Sequence, residues 1–152
     1  MNTVLRKAEE ADVATLIALA RRTISASYRT VLGDAAVDAF LDSGAVEGHV
    51  QENLARCWVI LSDGTLAGYA VYRDNLLDLL LIDPARQRQG LGTKLLAHVE
   101  QLLFEGCEEL TLESFAGNTQ ANNFYRKNGW LEGDRYFDKD LGVSKVVFRK
   151  RA

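Results

Sequence analysis

Proline occurs once and cysteine twice in the 152 residues, and neither cysteine has the neighbours that would give it a role. Cys57 and Cys107 form no Cys-x-x-Cys pair and have no histidine at ligand spacing, so neither a metal site nor a disulfide framework is expected. Two buried thiols are the plain reading. Neither opens a helix or sits beside a base, so no cysteine nucleophile and no acyl-enzyme are expected either. Long apolar runs are also missing. Nothing approaches a bilayer span, and Met1 to Arg6 lead into charged residues with no apolar leader, so the expected setting is cytoplasmic with no membrane partner. Basic excess is absent as well, since the net charge is −3, and no nucleic-acid partner is expected. What is present, 47% hydrophobic and 26% charged residues without repeats or linkers, suits one globular domain over residues 1–152.

Thr3 to Lys7 reads as a strand, and Val13, Leu16, Ile17, Leu19 and Ala20 then recur at helical spacing towards Tyr28. Gly33-Asp34 punctuates the chain before a second helix marked by Ala36, Val37, Phe40 and Leu41, which Ser43-Gly44 interrupts. Trp58 to Leu61 and Leu66 to Tyr72 form a hairpin across Ser62-Asp63-Gly64-Thr65. The nearly continuous apolar run Leu76 to Ile82 belongs to a strand covered on both faces. After Pro84, residues Leu91, Leu95, Leu96, Val99, Leu102 and Leu103 trace one helical face ending at Gly106, and Glu109 to Phe115 is the next strand. Strand, helix and strand in that order imply a parallel crossover. Asn118 caps a short helix through Tyr125, and Trp130 to Tyr136 with Val143 to Arg149 close the chain as an antiparallel pair. The expected class is α/β with a mixed sheet.

Chemistry concentrates at Gln87-Arg88-Gln89-Gly90-Leu91-Gly92-Thr93-Lys94, between the buried strand and the first turn of an amphipathic helix. A helix start offers unpaired N–H groups and partial positive charge, and glycine lets a bulky anion come close. With Arg88 and Lys94 at the same end, a pyrophosphate suits the site better than a single carboxylate. Taken alone, Gly90 and Gly92 would more often serve only a tight turn. The Walker pattern and the dinucleotide fingerprint both fail to match.

The segment Gln87-x-x-Gly90-x-Gly92 resembles the signature of the GNAT superfamily of N-acetyltransferases. The likeness runs upstream through Asp83-Pro84 and downstream to Asn118, Ala121, Phe124, Tyr125 and Gly129, which are most similar to the second motif of ribosomal-protein alanine N-acetyltransferases. It implies a single-domain fold with helices on both faces of the sheet and a parallel strand pair splayed around acetyl-CoA. The backbone from Arg88 to Thr93 would hold the pyrophosphate. Leu80, Leu81 and Ile82 would pair with the pantetheine arm like an added strand, and Asn118 would touch the same arm. The Leu81 N–H would face the thioester carbonyl unless a bulge shifts the role by one residue.

Acetyl transfer to an amine requires a deprotonated amine, a stabilised oxyanion and a proton for the departing thiolate. Tyr125 is the expected proton donor, because a phenol stays protonated at neutral pH. Asp78, which interrupts an apolar strand, and Glu113, on the strand before Asn118, are alternative bases, directly or through a water relay. The sequence leaves that choice open. His98 reads as a solvated surface residue, and for His49 nothing favours a place bordering the acceptor site over simple exposure. Tyr28, Arg29, Phe40, Tyr136 and Phe137 are candidate linings for the acceptor, expected to be a small amine, a polyamine or a protein N-terminus. A homodimer through the terminal strands is a candidate assembly. A catalytically inactive CoA-binding sensor or scaffold is the alternative function.

Overall fold

Glycines, more than hydrophobic pattern, decide how the first third of the chain is folded. The computed structural model, which describes residues 2–152, opens with β1 (Thr3–Lys7) and α1 (Val13–Ser27). The expected second helix is two, parted at the Ser43-Gly44 interruption, and a further short helix precedes Gly33. Gly33, at φ 85°, separates α2 (Arg29–Leu32) from α3 (Asp34–Asp42), and Gly44, at φ 83°, separates α3 from α4 (Ala45–Asn53). Side chains with a Cβ are strained in that region, so both positions reverse the chain where a longer helix would have run on. Helix α4 is poorly legible in the sequence because its only buried apolar residues are Val46 and Val50, too narrow a stripe to announce a helix.

Strands β2 (Cys57–Ser62), β3 (Thr65–Arg73) and β4 (Leu76–Ile82) follow, then α5 (Leu91–Phe104), β5 (Glu109–Phe115), α6 (Thr119–Lys127), β6 (Leu131–Asp138) and β7 (Val143–Arg151). They form one sheet ordered β1-β2-β3-β4-β5-β7-β6, in which β4 and β5 are the parallel pair. Helices cover both faces, as the sequence implied. On one face Leu16, Leu19, Val37 and Val50 pack on Val59, Tyr69, Val71 and Leu81. On the other, Leu91, Leu95, Leu96 and Val99 pack on Ile60, Ala70, Leu77 and Leu112. Each such buried aliphatic contributes about 1.5–3 kcal/mol. No helix among the described residues is long and apolar enough to cross a membrane.

Two expectations change at the packing level. Cys57 is buried, with its thiol pushed up to about 12 by desolvation, but Cys107 is only half-buried where the chain leaves α5. His98 is not a solvated residue. Its ring lies 4.3 Å from that of Trp58, because β2 presents the indole to the same side of the sheet that α5 covers. Gly68 sets the approach of β3 to β4. A Cβ there would sit 2.6 Å from the Leu81 carbonyl oxygen and 2.5 Å from Ile82 Cδ1, so only glycine lets this part of β4 lie where it does.

Candidate active site

Strands β4 and β5 touch in register only at Leu76 and Thr111 and then diverge. The divergence opens a groove of about 1210 Å³ lined by β4, by Leu112 to Phe115 of β5, and by the starts of α5 and α6. Which amides face it follows from the ladder on the other side of β4. Asp83 N–H donates to the Ala67 carbonyl at 2.8 Å, and Leu81 pairs with Tyr69. Antiparallel alternation then turns the Leu81 amide into the ladder and those of Leu80 and Ile82 into the gap. The Leu81 amide accordingly faces β3, with its side chain in the core, while the Leu80 and Ile82 amides face the gap. Gln87 Nε2 donates to the Ile82 carbonyl at 3.2 Å, and Gln120 Nε2 donates to Gln87 Oε1 at 3.3 Å, so side chains already approach this edge.

The groove ends at the start of α5. Gly90 occupies the cap of α5 in the left-handed region at φ 78°, with no side chain capping the first turn and no acidic residue in it. The first helical bond runs from Lys94 N–H to the Gly90 carbonyl, which leaves the Leu91, Gly92 and Thr93 amides available to an anion. Gly92 has a packing reason of its own. A Cβ there would lie 3.3 Å from the Phe124 ring, so the glycine lets α6 close against α5. Arg88, also at positive φ, and Gln89 are exposed beside this turn.

A bulge explains the carboxylate in the apolar strand. Val71 pairs with Leu79 and Tyr72 with Leu77, so Asp78 has no partner in β3 and both Asp78 and Leu79 face the α1–α4 layer. Leu79 packs there. Asp78 Oδ2 lies 2.7 Å from His49 Nε2 on α4, and Oδ1 lies 4.0 Å from Arg73 Nη2. The His49 hydrogen bond, followed by the charges of His49, Arg73 and Arg56, outweighs desolvation and holds this carboxyl below the usual range. Asp78 is therefore a paired carboxylate, ionised at neutral pH. In the sequence His49 was signalled only by the general rule that a carboxylate on a covered strand needs a partner.

Asn118 Oδ1 accepts from Ala121 N–H at 3.3 Å, the ordinary cap of α6, and the residue also lines the groove. Tyr125, about two turns further on, is 9% exposed between Phe124, Trp130 and Phe148, with ring centroids 5.3, 6.1 and 5.8 Å away. Burial, reinforced by Tyr28, raises its phenol and keeps it protonated. Glu113 stands exposed on the groove rim and accepts a hydrogen bond from the Tyr136 hydroxyl, a bond that pushes Tyr136 up to about 12. Of the other expected linings, Tyr28 faces the groove with its ring edge against Phe115 at 5.4 Å. Arg29 is engaged instead with Ser25, Asp34 and Asp38, while Phe40 and Phe137 are exposed outside the groove.

With this geometry in place, comparison with known proteins is direct. The family model described as Acetyltransferase (GNAT) family matches residues 18–130. The chain is 30% identical over 141 residues, 91% of its length and 90% of the relative's, to the peptidyl-lysine N-acetyltransferase YjaB of Salmonella typhimurium. The same fold recurs in the PaiA N-acetyltransferase of Thermoplasma acidophilum, solved in complex with coenzyme A, at a TM-score of 0.85 and 22% identity over the whole of both chains. It recurs also in the ribosomal-protein-S18-alanine N-acetyltransferase of Escherichia coli, at a TM-score of 0.72 and 20% identity over 99% of this chain and 94% of that one.

Proposed function

From the premise that this chain belongs to the GNAT acetyltransferase family, we propose that it moves an acetyl group from acetyl-CoA to a primary amine by direct attack in a ternary complex. Acetyl-CoA supplies the activated thioester. The observation that carries the reading is the continuity of the opened β4 edge with the uncapped start of α5 in one groove. An extended ligand bearing amides at one end and a pyrophosphate at the other matches that sequence of partners. The Leu91, Gly92 and Thr93 amides hold the phosphates, with Arg88 and Gln89 beside them, while Leu80 and Ile82 pair with the pantetheine arm and Asn118 flanks it. The Leu80 N–H, next after the bulge to face the gap, is placed for the oxyanion. Tyr125 protonates the departing sulfur.

The acceptor is a cationic amine, since Asp78 and Glu113 put carboxylates on the open side of the groove. YjaB acts on peptidyl lysine by its name, and the S18 enzyme on a protein's alanine, so lysine-bearing and N-terminal peptides are the acceptors to test first, ahead of polyamines.

Acetyl-CoA at 100 times its Kd should stabilise the protein by about 2.7 kcal/mol, a rise in Tm of roughly 5–10 °C for a domain of this size. ATP and NAD should leave Tm unchanged. Thiol release on adding a lysine peptide to the acetyl-CoA complex separates a transferase from an inactive CoA sensor, which would show the shift and no release. A Tm raised by ATP or NAD and not by acetyl-CoA would contradict the reading.

A further inference from the structure

We propose that the uncovered half of the sheet beside the groove, formed by β5, β7 and β6, is the docking surface for a polypeptide that carries the acceptor amine. The proposal rests on the acetyltransferase reading above and deepens it by naming what selects a peptide over a small amine. It starts from an imbalance between the two halves of the sheet. Leu110, Leu112, Val146 and Phe148 belong to the core shared with α5 and α6. Alternation turns Thr111, Glu113 and Phe115 of β5, with Lys145, Val147 and Arg149 of β7, to the opposite face. Over β2 to β4 that face is buried by α1 to α4. The helical layer stops where Tyr28, at the end of α1, meets Phe115 edge-on at 5.4 Å. Beyond that contact no residue of β5, β7 or β6 enters the core beneath these helices.

The open face offers a few apolar side chains among charges that are already matched. Leu131 and Tyr136 of β6, level with Arg149 and Lys145, are 72% and 44% exposed, and Val147 between those levels is half-buried. Lys145 pairs with Asp138 at 3.3 Å, while Arg149 and Arg151 both pair with Glu109, at 3.2 and 3.7 Å. Glu113 is the exception. It accepts from the Tyr136 hydroxyl and has no cationic partner among the described residues. An occupant that brings positive charge and apolar side chains completes this face, and a lysine-bearing peptide brings both. A second copy of the chain would bring the same matched pairs and another unmatched Glu113. Apolar residues so few and so interrupted also fall short of the interface of an obligate dimer. Strand-to-strand extension from β6 is guarded as well, because Gly133 and Asp134 form a bulge opposite Val147, and a bulged, charged edge resists pairing.

Continuity with the groove sets where the acceptor residue lies. Glu113, Phe115 and Lys145 belong both to this face and to the groove lining. From Phe115, Leu131 is four residues along the sheet and two strands across, roughly 16 Å, which an extended peptide covers in about five residues. A lysine that enters the groove past Phe115 therefore has a neighbour about five positions away over Leu131, with the intervening residues passing Val147 and Tyr136.

The test measures kcat/KM for peptides with one lysine and either leucine or serine about five positions to each side, and for Nα-acetyl-lysine amide. The leucine peptide should exceed the serine peptide by roughly 10-fold, the scale of one good apolar anchor. Leu131→Asp, a change at an exposed position, should abolish that preference while leaving kcat/KM for the small amide and the Kd for acetyl-CoA within about twofold. In methyl-detected NMR of the CoA complex, the leucine peptide should move the methyl groups of Leu131 and Val147 and leave those of Val59 and Val71, beneath α1 to α4, in place. Equal rates for the two peptides, or unmoved Leu131 and Val147 methyl groups, overturn the proposal while the transferase reading stands. So does sedimentation showing a dimer that Leu131→Asp dissociates with the peptide preference intact, since the face then meets a second copy. If the unmodified protein acetylates no amine, the transferase reading itself fails, and the methyl shifts still decide whether the peptide docks on this face.

Discussion

Replacing Tyr125 by Phe is expected to lower kcat by roughly 100-fold, the scale of one well-placed general acid, with little change in acetyl-CoA affinity. The ring is enclosed by Phe124, Trp130 and Phe148, so removing only the hydroxyl keeps the packing and takes away the proton. Because burial raises the phenol, Tyr125 stays protonated across the physiological range and imposes no limb of its own there. Steady-state rates with calorimetric Kd values check the split. Equal losses in both would make Tyr125 a binding residue, and an unchanged kcat would remove it from the chemistry.

The largest loss of stability is expected at Trp130. It is 2% exposed, packs beside Tyr125, and donates through Nε1 to Glu100 Oε2 at 2.8 Å. Glu100 also receives Lys150 Nζ at 2.7 Å, and that ammonium donates to the Asn128 carbonyl at 2.8 Å, so one network joins α5, the end of α6 and β7. Trp130→Ala leaves a large cavity and a carboxylate with one partner fewer, at a cost of about 3–5 kcal/mol, or roughly 6–20 °C in Tm. Chemical denaturation measures it. A loss below about 1 kcal/mol would mean that the network and the indole contribute little.

The sequence carried the second half of the fold well, because there the period changes cleanly. Leu76 to Ile82 reads as a covered strand, the leucines from Leu91 to Leu103 lie on one helical face, and Gly90 and Gly92 sit between them. These residues form the end of the groove at the start of α5, so that part of the fold was legible. The layer of α1 to α4 was not. Helix α4 has too few buried positions to show a period, and the contact of its His49 with Asp78 on β4 shows only once the helix is packed on the sheet. The bulge at Asp78 is invisible in composition, since one extra residue in an apolar strand changes no pattern while it redirects a carboxylate. The direction of the Leu81 amide was hidden for a related reason, because alternation of backbone amides depends on pairing with β3 and not on side-chain type. Tyr136 was foreseen as an acceptor lining, but its bond to Glu113 depends on β7 lying between their strands.

The central claim is that one continuous backbone surface, from the open edge of β4 to the first turn of α5, receives acetyl-CoA. Titrating acetyl-CoA into isotope-labelled protein and following backbone amides tests it residue by residue. The amides of Leu80, Ile82, Leu91, Gly92 and Thr93 should move together with one affinity, while those of β1 and β2 stay in place. If acetyl-CoA binds and these five remain unmoved, the ligand lies elsewhere and the account is wrong.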